Sequence, residues 1–412
     1  MSSSYRKSRA VRFAVLAALG VGAAVGQADA AQTYFQPQAE ARAETNSNLS
    51  LDPDGSPDGD TQGYIAVVEA LIGIATPQSE TSIRPRIRFQ EYPDRDERNR
   101  TEGFLDLVSR YERERSRLGI VAKYSRQDSY NFDTRSGEFD PLDPSSGSDQ
   151  GTGRVREDET RSELDVRPDF AFDVSERTTA AFDAQYRSVS YDVDSGAPSQ
   201  IDYDYVAAGA NVKWKLDERS TIGLGAFANR FDPKSGLGDS DGYGIGAGYE
   251  YRWSEVTGIE VTAFYETNDP TYDGPGVQAD SSSGLGGAVA AFYEGEISDW
   301  RFSASHRFAP SANGRAQQMD QLRIQYDRRL SERLSMRGVA RYESESAIND
   351  FVGSESVDTA RADISLRWLF TPTWDMQGGY SYIARDEEID GDASNNRFFI
   401  SVGYKALGTQ RR

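Results

Sequence analysis

The sequence predicts a transmembrane antiparallel up-and-down β-barrel of about eighteen strands, with sixteen as the smaller count it allows. Three observations predict this fold. From about residue 34 onward, stretches of roughly 10–14 residues alternate apolar and polar with period two. The connections between them alternate between short polar turns and longer loops rich in Asp, Gly, Ser and Pro. The five tryptophans, Trp214, Trp253, Trp300, Trp368 and Trp374, all fall on the apolar face, and each lies within a few residues of a short turn.

The chain starts with a basic segment (Arg6, Lys7, Arg9, Arg12), a short apolar run (residues 13–25) and the small-x-small site Ala28-Asp29-Ala30. This pattern reads as a signal peptide over 1–30, because the apolar run is too short to span a bilayer as a helix. Residues 31–412 then form one barrel domain, with no linker or composition shift inside the repeat. The formal charge of the chain is -20, and losing a leader of net charge near +3 leaves about -23. Such acidity argues against a nucleic-acid partner. There is no Cys, so neither a disulfide framework nor a thiolate metal site is available. Hydrophobic residues make up 37%, which is low for a single large dry core and suits a barrel with a wet interior.

The strand segments follow in order. Clear examples are 80–90 (ETSIRPRIRFQ), 163–174 (ELDVRPDFAFDV), 243–253 (YGIGAGYEYRW), 257–267, 320–330, 358–368 and 397–404. Soluble strands average about five or six residues, whereas strands that cross a bilayer need about nine to eleven. Short turns are expected near 76–79, 113–117, 174–178, 216–220, 254–257, 297–300, 330–333 and 370–373. Long loops are expected near 51–60, 92–100, 131–160, 192–200, 232–241, 268–283, 309–317, 345–356 and 386–395. Short turns at one end and long loops at the other are the asymmetry of outer-membrane barrels. The first segment, 39–48, is the weakest, and it decides between sixteen and eighteen strands.

A soluble β-sandwich would also alternate, but its core would scatter tryptophans along the strands. A membrane barrel gathers Trp and Tyr at the interfaces. The five tryptophans therefore read as a periplasmic girdle, with Tyr265, Tyr342 and Tyr382 in the opposite girdle.

With the apolar face outward, the other face lines the pore. Arg84, Arg86 and Arg88 share one strand, and Arg323, Arg337, Arg341, Arg361 and Arg367 point inward on three others. If the last strand closes on the first, these form one basic arc. The opposite arc carries inward Glu163, Asp165, Asp183 and Glu294. Opposed walls of this kind set a transverse field that filters polar solutes, and paired charges bracing a wet interior explain the same residues equally well. Inward aromatics (Tyr203, Tyr205, Phe227, Phe264, Phe292, Phe399) either stack on sugar rings or pack against the wall.

Catalytic chemistry finds little support. His306 is the only histidine, and its same-face neighbours Ala304 and Phe308 are not nucleophiles. Residues 54–59 begin like an EF-hand loop, but the twelfth position is Ile65; the run from Asp386 fails in the same way, with Arg397 in that place. No catalytic residue, metal site or cofactor is expected.

The polar opening segment AEARAETNSNLSL (39–51), set after the leader, resembles the outer-membrane β-barrel porins found alongside exopolysaccharide and capsule assembly genes. The end of the chain, GYKALGTQRR, departs from the usual terminal Phe of such barrels, with Tyr404 as its stand-in. The resemblance implies a barrel serving polysaccharide export or surface assembly, in the outer membrane of a Gram-negative bacterium. The expected partners are outer-membrane lipid and lipopolysaccharide, with polysaccharide and a periplasmic export component implied by the resemblance. A general diffusion porin, a structural or adhesive barrel and, last, a lipid-modifying enzyme remain as alternative functions.

Overall fold

Strands of this length need continuous pairing, because an apolar solvent cannot satisfy free N–H and C=O groups. A computed structural model shows that pairing. It describes residues 31–49, 51, 59–128, 159–193, 201–234, 239–271, 282–310, 316–347, 356–387, 391–406 and 409–411. The leader at 1–30 and most of the loop at 131–160 lie outside the described residues.

The strands are β1 Gln32–Asn46, β2 Thr61–Ala75, β3 Ser79–Glu91, β4 Arg100–Arg113, β5 Ser116–Asp128, β6 Glu159–Ser175, β7 Thr178–Val193, β8 Tyr203–Lys215 and β9 Ser220–Pro233. They continue as β10 Asp239–Arg252, β11 Thr257–Thr271, β12 Ser282–Glu294, β13 Ser298–Pro310, β14 Ala316–Arg329, β15 Leu334–Ala347, β16 Val357–Leu369, β17 Trp374–Glu387 and β18 Gly391–Lys405. Each pairs antiparallel with its sequence neighbours, and β18 pairs with β1, so eighteen strands close into a barrel. A short β19, Thr409–Arg411, extends the seam against Thr33–Phe35 of β1.

The weak first segment is a full strand of 15 residues, zipped to β2 from Gln32 to Asn46 and to β18 from Gln38 to Asn46. This settles the count at eighteen. Tyr404 sits on the closing strand opposite Ala39 and packs on Trp374, with ring centroids 5.0 Å apart. The loop expected at 386–395 is shorter than the sequence suggests. Glu387 and Gly391 are already a register pair, so the polar residues Asp386, Asp392 and Asn395 belong to the ladder. Composition marked a loop there, but the closed ladder satisfies backbone that polar side chains alone would leave to water.

Six of the eight short turns share one device. Thr76, Ser175, Asp217, Ser254, Ser331 and Thr371 each accept a hydrogen bond from the backbone N–H two residues on. All but Ser175 also accept from the N–H three residues on. These side chains imitate a backbone turn and fix the tight reversal. Hydrogen bonds from Ser220 and Arg219 hold the Asp217 carboxyl below its ordinary range.

Register sorts the two faces. On β10 and just past its end, Tyr243, Ile245, Tyr249 and Trp253 are exposed, while Gly244, Gly246, Gly248 and Glu250 point the other way. The same parity around the ring leaves Phe182, Leu224, Leu285, Ile364 and Phe398 on the outer wall, each more than half or nearly half exposed. A barrel with so much large apolar side chain outside requires an apolar surrounding.

On β16, Ile364 faces out between Gly338 and Tyr380, and Ser365 faces in between Arg337 and Gly379. Ile364→Arg should cost roughly 2–4 kcal/mol near mid-depth, and Ser365→Arg much less. Unfolding in lipid vesicles measures both, and equal losses would contradict the register.

The lumen wall as candidate functional site

The inner face holds glycines for a steric reason. Phe227, Phe264, Phe292 and Phe399 lie flat across the neighbouring strand, over Gly244, Gly286, Gly258 and Gly379, their partners in register. A Cβ at Gly244 or Gly286 would come within 2.2 and 2.1 Å of the ring carbon above it. Each ring thus occupies the place of the missing side chain. Phe227 and Phe264 also meet edge to face at 6.1 Å. Tyr203, Phe231, Val189 and Tyr191 form a buried cluster with Tyr205 against it. Packing accounts for these aromatics, and Phe264 and Phe231 offer almost no surface to a sugar.

The charged positions all have inward parity, but the two arcs are not bare walls. Glu163 and Asp165 sit among arginines of their own neighbourhood. Arg167 donates to Asp165 from Nε at 2.7 Å and Nη2 at 2.9 Å. Arg187 donates to Asp165 from Nη2 at 2.9 Å and reaches Glu163 at 3.1 Å. Gln185 Nε2 adds a bond at 2.8 Å, and Arg161 pairs with Glu163. Asp165 is therefore a hub for three side chains, itself almost fully buried. The sequence reading missed Arg161, Arg167 and Arg187. Their signal was available: Arg161, Glu163, Asp165 and Arg167 stand two apart on one face.

The basic arc carries acids of its own. Arg337 bonds Asp327 at 2.5 Å, Arg367 bonds Asp375 at 3.0 Å and Arg361 bonds Asp363 at 2.7 Å. Arg88 pairs with Glu102, and Arg86 and Arg88 lie over the Phe104 ring at 4.2 and 5.5 Å. Arg84 stands opposite Asp106. Closure of the barrel brings Arg42, Arg86 and Arg88 together with Arg367 around one inner cavity of about 380 Å³.

Like charges nevertheless meet at certain places. Arg323, Arg341 and Arg361 are direct partners in register on β14, β15 and β16. Across the ring, Asp169 faces Asp183 on β6 and β7, and Glu250 faces Glu260 on β10 and β11. Glu294 stands opposite Asp299, at the turn end. The five tryptophans are between 42% and 59% exposed at the turn end of the outer wall. Trp300 packs on Tyr326 at 4.4 Å, and Trp253 on Tyr251 at 5.9 Å.

No protein-family model matches this chain, and no curated protein matches it. Among solved structures it is similar to Pseudomonas aeruginosa OpdO, at 11% identity over 91% of this chain and 97% of that one, with a TM-score of 0.48. It is also similar to Pseudomonas aeruginosa OccK2 (OpdF) in complex with glucuronate, at 9% identity over 91% and 98%, TM-score 0.48. Acinetobacter baumannii OccAB3 gives 9% identity over 92% and 99%, TM-score 0.47. No residue of this chain takes a role from them.

Removing the hub carboxylate takes one acceptor from each of three donors in a buried setting. Asp165→Ala should destabilise the barrel by about 3–5 kcal/mol. Asp106→Ala, on the same inner wall, is expected to cost less, because Asp106 lies outside this buried cluster. Urea unfolding in vesicles compares the two, and equal losses would remove the hub from the account.

Proposed function

We propose that this protein is an outer-membrane channel for polar solutes that favours anions. The row Arg323–Arg341–Arg361 carries this reading. Like charges directly opposite one another on a sheet are destabilising. A lumen that served only to brace itself would alternate signs at these three places, as it does around Asp165. Asp363 beside Arg361 offsets part of the repulsion, and water and passing anions offset more of it.

Exopolysaccharide export is the specific form suggested by the resemblance of the opening segment, and an acidic polymer would suit the arginine row. General diffusion of small solutes fits the same wall, and one observation favours it. The inward aromatics lie flat over glycines and pack on each other, so they leave few ring faces for stacking on sugars.

The test is conductance of the refolded barrel in a planar bilayer under a salt gradient. The wild type should pass current in steps, with a reversal potential on the anion-selective side. Replacing Arg323, Arg341 and Arg361 with Gln should move that potential toward cations. An unchanged potential would place the row off the conducting path. A folded barrel that never conducts would overturn the channel reading in favour of a structural or adhesive role.

A further inference from the structure

The inner cavity beside the closing seam, of about 380 Å³, holds two charges that the rest of the wall leaves over. Three of its arginines have an acid each. Arg42 bonds Glu40 at 3.2 Å, Arg88 pairs with Glu102, and Arg367 holds Asp375 through two bonds of 3.0 Å. Arg86 and Glu69 also line the cavity, and neither forms an ion pair with any described residue. They are direct partners in register on β3 and β2. Opposite charges placed in this way have Cβ atoms about 5 Å apart and ordinarily bond.

The reason lies on β4. The Arg86 guanidinium leans over the Phe104 ring, 4.2 Å from its centroid, on the side of β3 away from Glu69. There its Nε is buried without an acceptor. Stacking on the ring thus holds the cation apart from the carboxylate. Next to Glu69 on the same inward face of β2 stand Val67 and Ile65, and both line the cavity. The wall therefore offers a cation, an anion and an apolar strip around one space. Lys405 stands on the same row beyond Gln38, two strands from Glu69, and is not part of the cavity lining.

A ligand with one charge fits this space poorly. A lone anion on Arg86 meets the Glu69 carboxylate, and a lone cation on Glu69 meets Arg42, Arg86 and Arg88. We propose that the cavity binds a small zwitterion with an apolar body, the chemistry of a free amino acid such as leucine. Its carboxylate accepts from Arg86, its ammonium donates to Glu69, and its side chain lies along Val67 and Ile65. The site rests on the lumen reading only in that solutes reach the inner wall, and it makes no use of the Arg323–Arg341–Arg361 row.

Saturation-transfer NMR on the detergent-solubilised full barrel tests this with three probes that share one apolar body. Leucine carries both charges, 4-methylpentanoate lacks the ammonium, and 3-methylbutylamine lacks the carboxylate. The wild type should bind leucine roughly tenfold more tightly than either analogue. Glu69→Gln should bring leucine down to the level of 4-methylpentanoate, and Arg86→Gln down to that of 3-methylbutylamine. Arg84→Gln, on the same strand but outside the cavity lining, should leave the preference intact. Equal binding of leucine and 4-methylpentanoate by the wild type would make this a plain anion site and overturn the proposal. A preference that survives both Glu69→Gln and Arg86→Gln would overturn it as well. The readout needs no current: leucine binding in a barrel that never conducts would fault the channel reading and uphold the site.

Discussion

The closed hydrogen-bond ladder governs everything else in this molecule. A backbone group left unpaired in hydrocarbon costs several kcal/mol, so a sheet can enter a membrane only when it has no edge. The seam between β1 and β18 is therefore the critical contact. It joins residues more than 350 positions apart through nine register pairs, Gln38–Lys405 to Asn46–Arg397. The polar composition of the first strand is no handicap there, since the ladder is built from backbone and Arg42, Glu44 and Asn46 all point to the wet side. Thr409–Arg411 lengthens the same seam at the end where the chain stops.

Closure also fixes which side chains can share space. Once the strands are in register, each inward aromatic has a defined neighbour, and a bulky residue there would push it into the lumen. Gly244 beneath Phe227 and Gly286 beneath Phe264 let the rings lie against the wall. The glycine-rich face of residues 243–253 is thus a packing surface for the adjacent strands. Its opposite face, with Tyr243, Ile245 and Trp253, meets the apolar surrounding.

Much of this was legible in the sequence because the informative patterns are local. Period-two alternation locates strands, and Ser, Thr or Asp at the start of a tight turn announces the reversal, as at Asp217, Ser254 and Thr371. Tryptophans clustered near those turns reveal which face is outside. What was not legible depends on register between strands far apart in sequence. His306 looked isolated because its partner Asp320 lies on the next strand, 14 residues away. Of the arginines around Asp165, Arg187 depends on register in the same way, reaching it from β7, 22 residues on. The stretch at 386–395 reads as a loop because its Asp and Asn residues resemble loop composition, whereas pairing between β17 and β18 keeps Asp386, Asp392 and Asn395 in the wall.

Register also separates two uses of charge inside one barrel. Around Asp165, opposite charges are buried and bonded, an arrangement that holds β6 and β7 together and leaves little net field. At Arg323, Arg341 and Arg361 the same wall sets like charges about 5 Å apart at Cβ, where repulsion opposes folding. Asp363 beside Arg361 and the amide of Gln325 beside Arg323 relieve only part of it. A wall can keep such a row only where mobile water and ions screen it, so the row marks the stretch of lumen that stays wet. The buried hub on β6 and β7 stands on the other side of the ring, where Asp169 and Asp183 set like charges opposite each other as well. The barrel thus combines a braced cluster at Asp165 with a basic row on β14 to β16, and that row is the path that a polar anion would follow.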